Sequence, residues 1–406
     1  MSVNIRWCIP MSDKTLLFLL ILSPLIYLTG GVEHVTPLSI ANFLNLPSLS
    51  AINYLSYLFI IFCLIVAAAK DPGKIIPLLM LFVLMVSILF RESSVKDAMV
   101  SFVSQLLIIS PLLLMIGCSL KIKHESLIKI INIYVLYVAL CIILHYVFVS
   151  YYLLVGVSLP NERAVGIFKN PNHLAVFAIA TLIIFYQLAL QGVYTKKKVI
   201  SVELLVAFVI YISGSRSAQL FFVMLIMIHS FFFNRRLFML YVMLSIFGMI
   251  LIISSDVGVE KIETLLTKRE VHDIAEAGNM RMTILYEMLH NFSLSEMIFG
   301  KGSGEGSALF ISNQVSNDEK VVWLDSNINT LTYTFGPLFT SLVVVILSFQ
   351  IMYKAGFNII NMYRYLFVAY FMWFINIGEF FPIIFMLLLS TYKSQRIKKY
   401  DFNSHC

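Results

Sequence analysis

Charge is scarce in this chain. Asp, Glu, Lys and Arg supply 13% of its 406 residues, about half the share of a soluble domain, and the mean hydropathy is +0.89. A soluble globular protein of this length is excluded, because too few polar groups remain to cover its surface. Cysteine is sparse as well. Cys8 and Cys406 lie near the termini, Cys63, Cys118 and Cys141 lie inside apolar runs, and no two have metal or redox spacing. Neither a disulfide nor a zinc site is expected. There is no Walker A loop, no Asp-x-Asp pair for a metal-bound nucleotide sugar and no His-Glu-x-x-His. Asp318-Glu319 alone is not a metal site. The chemistry is therefore expected to need no metal and no cofactor.

What the chain does have is long uncharged apolar runs. About 20 apolar residues cross a bilayer as a helix, and the runs are continuous rather than alternating, which selects helices over a barrel. Spans are expected near 15–31, 49–69, 75–90, 98–119, 127–150, 172–191, 199–213, 218–233, 237–254, 326–352, 357–377 and 380–392. The fold class is thus an all-α polytopic membrane protein of about twelve transmembrane helices. The first run lacks a small-residue cleavage site and reads as a retained span.

Loop charges set the orientation. With a cytoplasmic N-terminus, the inner loops collect Lys70 and Lys74, Lys121, Lys123 and Lys129, Lys196–Lys198, Arg235 and Arg236, and the tail Lys393, Arg396, Lys398 and Lys399. Asp13, Asp71, Glu125 and Asp401 are the acidic residues on that side. The net charge of +7 is then a topology signal, and no nucleic-acid partner is implied. Four regions follow: a membrane bundle over 1–254, a large periplasmic loop over 255–325, further spans over 326–392 and a basic cytoplasmic tail over 393–406.

So long a loop in a compact membrane protein is functional more often than not. Val259, Ile262, Leu265 and Leu266 have helical spacing, and a second helix is expected from Asn279, a natural N-cap, to about Asn291. The run Gly300–Gly306 is too glycine-rich for regular structure. The loop reads as a helical cap over an outward-facing cleft.

Four polar clusters face the same outer side. The first runs from Asn161 to His173 and holds Arg163, Asn172 and His173; Asn170 and Pro171 alone fit a helix start. The second, Ser213-Gly-Ser-Arg-Ser217, joins two spans by a turn too short to lift Arg216 clear of the bilayer. An arginine beside hydrocarbon is usually paired or lines a wet cavity, and Ser215 can offer donors to the same anion. The third is Arg281, a cation opposing the dipole at a helix start, followed by Lys301 in the glycine turn. The fourth is Trp323-Leu-Asp325-Ser-Asn327, where capping explains Asp325 or Ser326 as well as catalysis does. Glu379 is a reserve candidate base. Glu203 and Arg364, near cytoplasmic ends of spans, are expected to snorkel.

Arg163-x-x-Gly-x-Phe-x-Asn-Pro-Asn-His173, Ser-Gly-Ser-Arg-Ser at 213–217 and Arg281 ahead of a Gly-x-Gly-x-Gly run together resemble the O-antigen ligase and polymerase superfamily. The resemblance covers about residues 155–340. It implies a bacterial inner-membrane glycosyltransferase with a C-type helical bundle, whose active site faces the periplasm. It also implies that Arg163, Arg216 and Arg281 approach the pyrophosphate of an undecaprenyl-linked glycan. Ligases usually carry a histidine just before the span after the large loop, whereas this chain has Asp325 there. That departure favours a polymerase.

The implied partners are undecaprenyl-pyrophosphate-linked donor and acceptor glycans, membrane lipids and a chain-length regulator. The expected site comprises Asp325, Arg216 and Arg281 as catalytic residues, with Arg163, Asn172, His173, Ser215 and Lys301 binding pyrophosphate or sugar. The alternatives are a ligase transferring polymer to lipid A core and, from another class, a flippase of the lipid-linked unit. Flippases usually show two comparable halves, while here nine expected spans precede the large loop and three follow it.

Overall fold

The structure is a computed structural model, and it describes residues 124–156, 163–168, 171–233, 235–254, 280–301, 308–312, 319–323 and 327–342. Residues 82, 86, 344–345, 362–363, 366–367 and 369–370 are also described, all of them helical. The spans expected near 15–31, 49–69, 98–119 and 380–392, and the amphipathic segment 259–266, lie outside the described residues. The described residues fall into two compact units. Those up to Gln219 and within Val343–Val368 belong to the first, and those within Leu220–Leu342 and Ala369–Ile377 to the second.

The first unit is built on α1 (His124–Leu154), α2 (Pro171–Ala189) and α3 (Lys196–Ser213). Both α1 and α2 are long and apolar enough to cross a membrane. Their environments differ. Every residue of α2 from Leu174 to Leu188 is buried, as expected for a helix that is apolar all round. By contrast α1 has two faces. Leu127, Ile131, Tyr134, Val138, Cys141 and Phe148 point inward, while Leu136, Leu140, Ile143 and Val147 form an exposed stripe. The 31 residues of α1 span about 46 Å at 1.5 Å per residue. An exposed apolar stripe on such a helix is a liability in water and at home against acyl chains. Helices in lipid gain little from burying apolar surface, so packing must hold them together. Tyr134 meets Phe177 with ring centroids 5.2 Å apart, and Phe168 meets the same ring at 5.2 Å.

Thr195 caps α3, accepting from the Lys198 amide, and Gly214 ends it in the left-handed region at φ 62°. Midway along α3, Glu203 departs from the sequence expectation. It does not snorkel: its side chain is 3% exposed and accepts a 2.6 Å hydrogen bond from Tyr186 Oη. A glutamate stem is too short to carry its charge far along a helix, and the tyrosine hydroxyl gives it a nearer partner. Tyr363 packs against Tyr186 at 5.8 Å. On α2, Thr181 and Gln187 are fully buried, and their side-chain polar atoms have no hydrogen-bond partner among the described residues.

Helix α4 (Arg216–Phe233) leaves the first unit and enters the second, followed by α5 (Arg235–Ser254). Phe231 and Phe238 pack edge to face at 5.3 Å across the α4–α5 turn. In the large loop, α6 (Met280–Asn291) begins one residue after Asn279, as the sequence indicates. It is followed by α7 (Leu294–Phe299), which opens on a capping box between Ser293 and Glu296. The loop is not purely helical, however. Strands β1 (Ala308–Ser312) and β2 (Glu319–Trp323) pair antiparallel, with Ala308 opposite Trp323 and Ser312 opposite Glu319.

The span expected over 326–352 is likewise interrupted. Helix α8 (Asn327–Phe335) stops at Gly336, φ 85°, and residues 337–342 are helical again. Gly336 and Pro337 supply the break: one tolerates positive φ, and the other removes a backbone donor.

Candidate functional site

Arg163 is the best-defined part of the expected site. The segment Ala164–Phe168 that follows it is buried in the bundle, although it has no regular structure. Ala164 N–H donates to the Ile212 carbonyl at 2.8 Å, tying the segment to the last turn of α3. Gly166 is at φ 62°, and a Cβ there would lie 2.5 Å from Cys141 Sγ and 2.6 Å from Cys141 Cβ. Phe168 packs on Phe177 of α2. Much of the Arg-x-x-Gly-x-Phe motif is therefore a plug that seats its arginine.

The guanidinium then joins three pieces of chain. Arg163 Nε donates to the Ser213 carbonyl at 2.7 Å, and Nη2 donates to Asn172 Oδ1 at 3.2 Å. Ser213 is the last residue of α3, so the arginine satisfies one of the helix's unpaired carbonyls and meets the negative end of its dipole. Asn172 is the second residue of α2 and is exposed. Gly214 is required as well: a Cβ at that position would stand 3.0 Å from Arg163 Nε and 3.3 Å from its Cγ. The first two polar clusters, 50 residues apart along the chain, thus form one structural unit.

His173, the third residue of α2, is half-buried beside them. Ser215 is buried, and its amide lies 3.4 Å from Ser213 Oγ. Its carbonyl accepts from the Gln219 amide at 3.0 Å, so Ser215 occupies the N-cap position of α4 and Arg216 follows as the first helical residue. A cation there opposes the helix dipole. The side chain of Arg216 lies outside the described set.

Arg281 and Lys301 belong to the second unit. Arg281 is the second residue of α6, and its side chain is not described. Lys301, exposed, follows the C-cap of α7. Its amide donates to the Tyr333 carbonyl at 2.7 Å, its ammonium lies 3.7 Å from Glu296 Oε1, and it sits 5.4 Å over the Phe292 ring. Glu296 also accepts from the Ser293 amide at 2.8 Å. That backbone bond holds the Glu296 carboxyl below its ordinary range; burial opposes it, and the Ser293 hydroxyl and Lys301 add smaller lowering effects. Gly300 and Gly336 allow α7 and α8 to cross backbone on backbone: a Cβ on Gly336 would come 2.9 Å from the Gly300 amide. Asp325 and Glu379 lie outside the described residues.

Sequence reading missed the Ser213 carbonyl as Arg163's partner and the dependence of Arg163 on Gly214. The capping box was legible as Ser293-x-x-Glu296. Among the described residues no three His, Cys, Asp or Glu side chains cluster so as to hold a metal ion. Comparison with family models, curated proteins and solved structures gives no match.

Proposed function

We propose that this chain is a membrane glycosyltransferase of the polymerase kind. It joins undecaprenyl-pyrophosphate-linked repeat units into O-antigen or a related surface polysaccharide, at the periplasmic face of a bacterial inner membrane. About twelve spans, with both termini cytoplasmic, complete this reading. The observation that carries it is the Arg163 clasp, which unites the 163–173 and 213–217 clusters at the paired ends of α2 and α3.

Nucleotide donors are absent outside that membrane, so the activated sugar must arrive on a lipid. As its anomeric carbon–oxygen bond breaks, negative charge grows on the departing pyrophosphate. Arginines already in place stabilise that state more than the ground state. Arg163, Arg216 and Arg281 take this role, each contributing on the order of 2–4 kcal/mol. Asp325, with Glu379 in reserve, accepts the proton of the attacking acceptor hydroxyl. The new bond forms with inversion, and the pyrophosphate leaves with both bonding electrons.

Lipopolysaccharide from a deletion strain, complemented with point variants, tests the proposal. Deletion should leave core bearing single repeat units, whereas loss of a ligase leaves bare core. Arg216→Ala and Arg281→Ala should abolish long chains at normal membrane levels of protein, and Arg→Lys should rescue poorly, since a point charge cannot reproduce the guanidinium fork. Normal ladders from both alanine variants would remove the mechanism.

A further inference from the structure

The opposite end of the first unit has chemistry that the transfer reaction does not use. Lys196, Lys197 and Lys198 open α3, and no acidic residue shares its first turn. Lys129 stands near the start of α1, one turn before Asn132. The two helix starts are joined there: Lys198 Nζ donates to Asn132 Oδ1 at 3.2 Å, and Tyr194 Oη donates to the same oxygen at 3.2 Å. The Lys198 ammonium also lies 4.4 Å over the Tyr194 ring. That ring is itself stacked on Phe185, centroids 4.1 Å apart and 2° from parallel. Burial pushes the Tyr194 hydroxyl up to about 12, so it stays a neutral donor through the physiological range.

Lys198 is thus fixed on an aromatic platform, while its basic neighbours are uncompensated. Lys129, Lys196 and Lys197 are exposed, and their ammonium groups have no ion pair or hydrogen bond among the described residues. Glu125 lies one turn before Lys129 on α1 without pairing to it. This cationic surface sits where α1 and α2, both long enough to cross a bilayer, reach one end. That places it at headgroup level, where phosphate is dense and exposed tyrosine and lysine are favoured.

We propose that Lys129, Lys196, Lys197 and Lys198, gathered where Asn132, Tyr194 and Lys198 join the starts of α1 and α3, form a docking surface for the phosphate groups of anionic phospholipids. The occupant is the surrounding leaflet and not a soluble anion, because the patch flanks lipid-length apolar helices. Removing a lysine should weaken retention roughly fivefold, the worth of about one juxtamembrane charge.

The full-length protein, purified in mild detergent, is loaded with equal phosphatidylglycerol and phosphatidylcholine, and the bound lipid is counted by native mass spectrometry. Wild type should retain phosphatidylglycerol preferentially and lose the preference in high salt. The triple variant Lys129→Gln, Lys196→Gln, Lys197→Gln should show little preference, and the corresponding triple Lys→Arg variant should keep it. These lysines also bear on insertion, so each variant is first checked for wild-type orientation with a reporter fused after Cys406. For any glutamine variant that inverts, wild type and the arginine variant carry the test through their salt dependence. Equal retention of both lipids by wild type would overturn the proposal. So would an undiminished preference in a correctly oriented glutamine variant, or displacement of the lipid by millimolar inorganic phosphate.

Discussion

Replacing Gly214 with alanine separates two costs that the structure places at one residue. At φ 62° the left-handed backbone alone costs an alanine about 1–2 kcal/mol. The new Cβ would also stand 3.0 Å from Arg163 Nε, crowding the group that donates at 2.7 Å to the Ser213 carbonyl. A hydrogen bond from a charged donor is worth roughly 1.5–3 kcal/mol, so the full penalty should reach roughly 2.5–5 kcal/mol. Gly156 provides the control. It has φ 73°, and a Cβ added there would meet nothing within 4 Å, so Gly156→Ala should cost only the backbone share. In an Arg163→Ala background, Gly214→Ala should shrink to that same share, leaving a coupling of about 1.5–3 kcal/mol between the two sites. The assay is unfolding in detergent of the four members of the cycle plus Gly156→Ala. Additivity within about 0.5 kcal/mol would refute the claim that Gly214 is glycine because of Arg163.

Three further outcomes follow from the buried and capped polar groups. Tyr186→Phe removes a donor to the buried Glu203 carboxyl and should cost about 1–3 kcal/mol; Glu203→Gln, which keeps an acceptor for the tyrosine hydroxyl, should cost less in the same melts. Gln187→Met should be neutral or stabilising by about 1–3 kcal/mol, because both ends of that buried amide go unsatisfied among the described residues; a clear loss would mean the amide has a partner. The Glu296 carboxyl is held below its ordinary range by the Ser293 amide. Its share of stability is therefore full above the unfolded value and is lost as pH falls through the lower folded value. Proteolysis of the 280–301 segment should rise in that acidic window, and Glu296→Gln should flatten the dependence. A rise toward alkaline pH instead would contradict the sign.

The helices of the first unit were legible because strong punctuation brackets their apolar runs. Pro171 starts α2, Lys196–Lys198 start α3 and Gly214 ends it, so the observed bounds fall close to the expected 172–191 and 199–213. The run expected over 127–150 extends to His124–Leu154, since helices continue past the apolar stretch until a real stop such as Gly156. The β-hairpin was missed inside a loop read as helical. Yet Ala-Leu-Phe-Ile-Ser at 308–312 and Glu-Lys-Val-Val-Trp at 319–323 carry the aromatic and β-branched content of strands, on either side of polar residues. Hydropathy also joined 326–352 into one span, because it is blind to the backbone geometry of Gly336-Pro337.

The Arg163 part of the candidate site was legible as side chains but not as a structure. Charge beside glycine marked Arg163 and Arg216, and it could not show that Arg163 is oriented by a main-chain carbonyl at the far end of α3. Backbone acceptors leave no sequence signature, and this one lies 50 residues away. Its presence changes what the motif means. Gly166 answers to Cys141, Phe168 to Phe177, and Gly214 to the guanidinium itself, so three residues of the two clusters serve placement rather than chemistry. An arginine fixed in this way has surrendered side-chain entropy at folding, which a mobile lysine or arginine would give up only on meeting an anion. The clasp is therefore consistent with a pre-organised cation as well as with a helix cap. The two roles separate experimentally: losing the cap should lower melting temperature, while under the proposed polymerase reading losing the cation should shorten polymer at unchanged protein level.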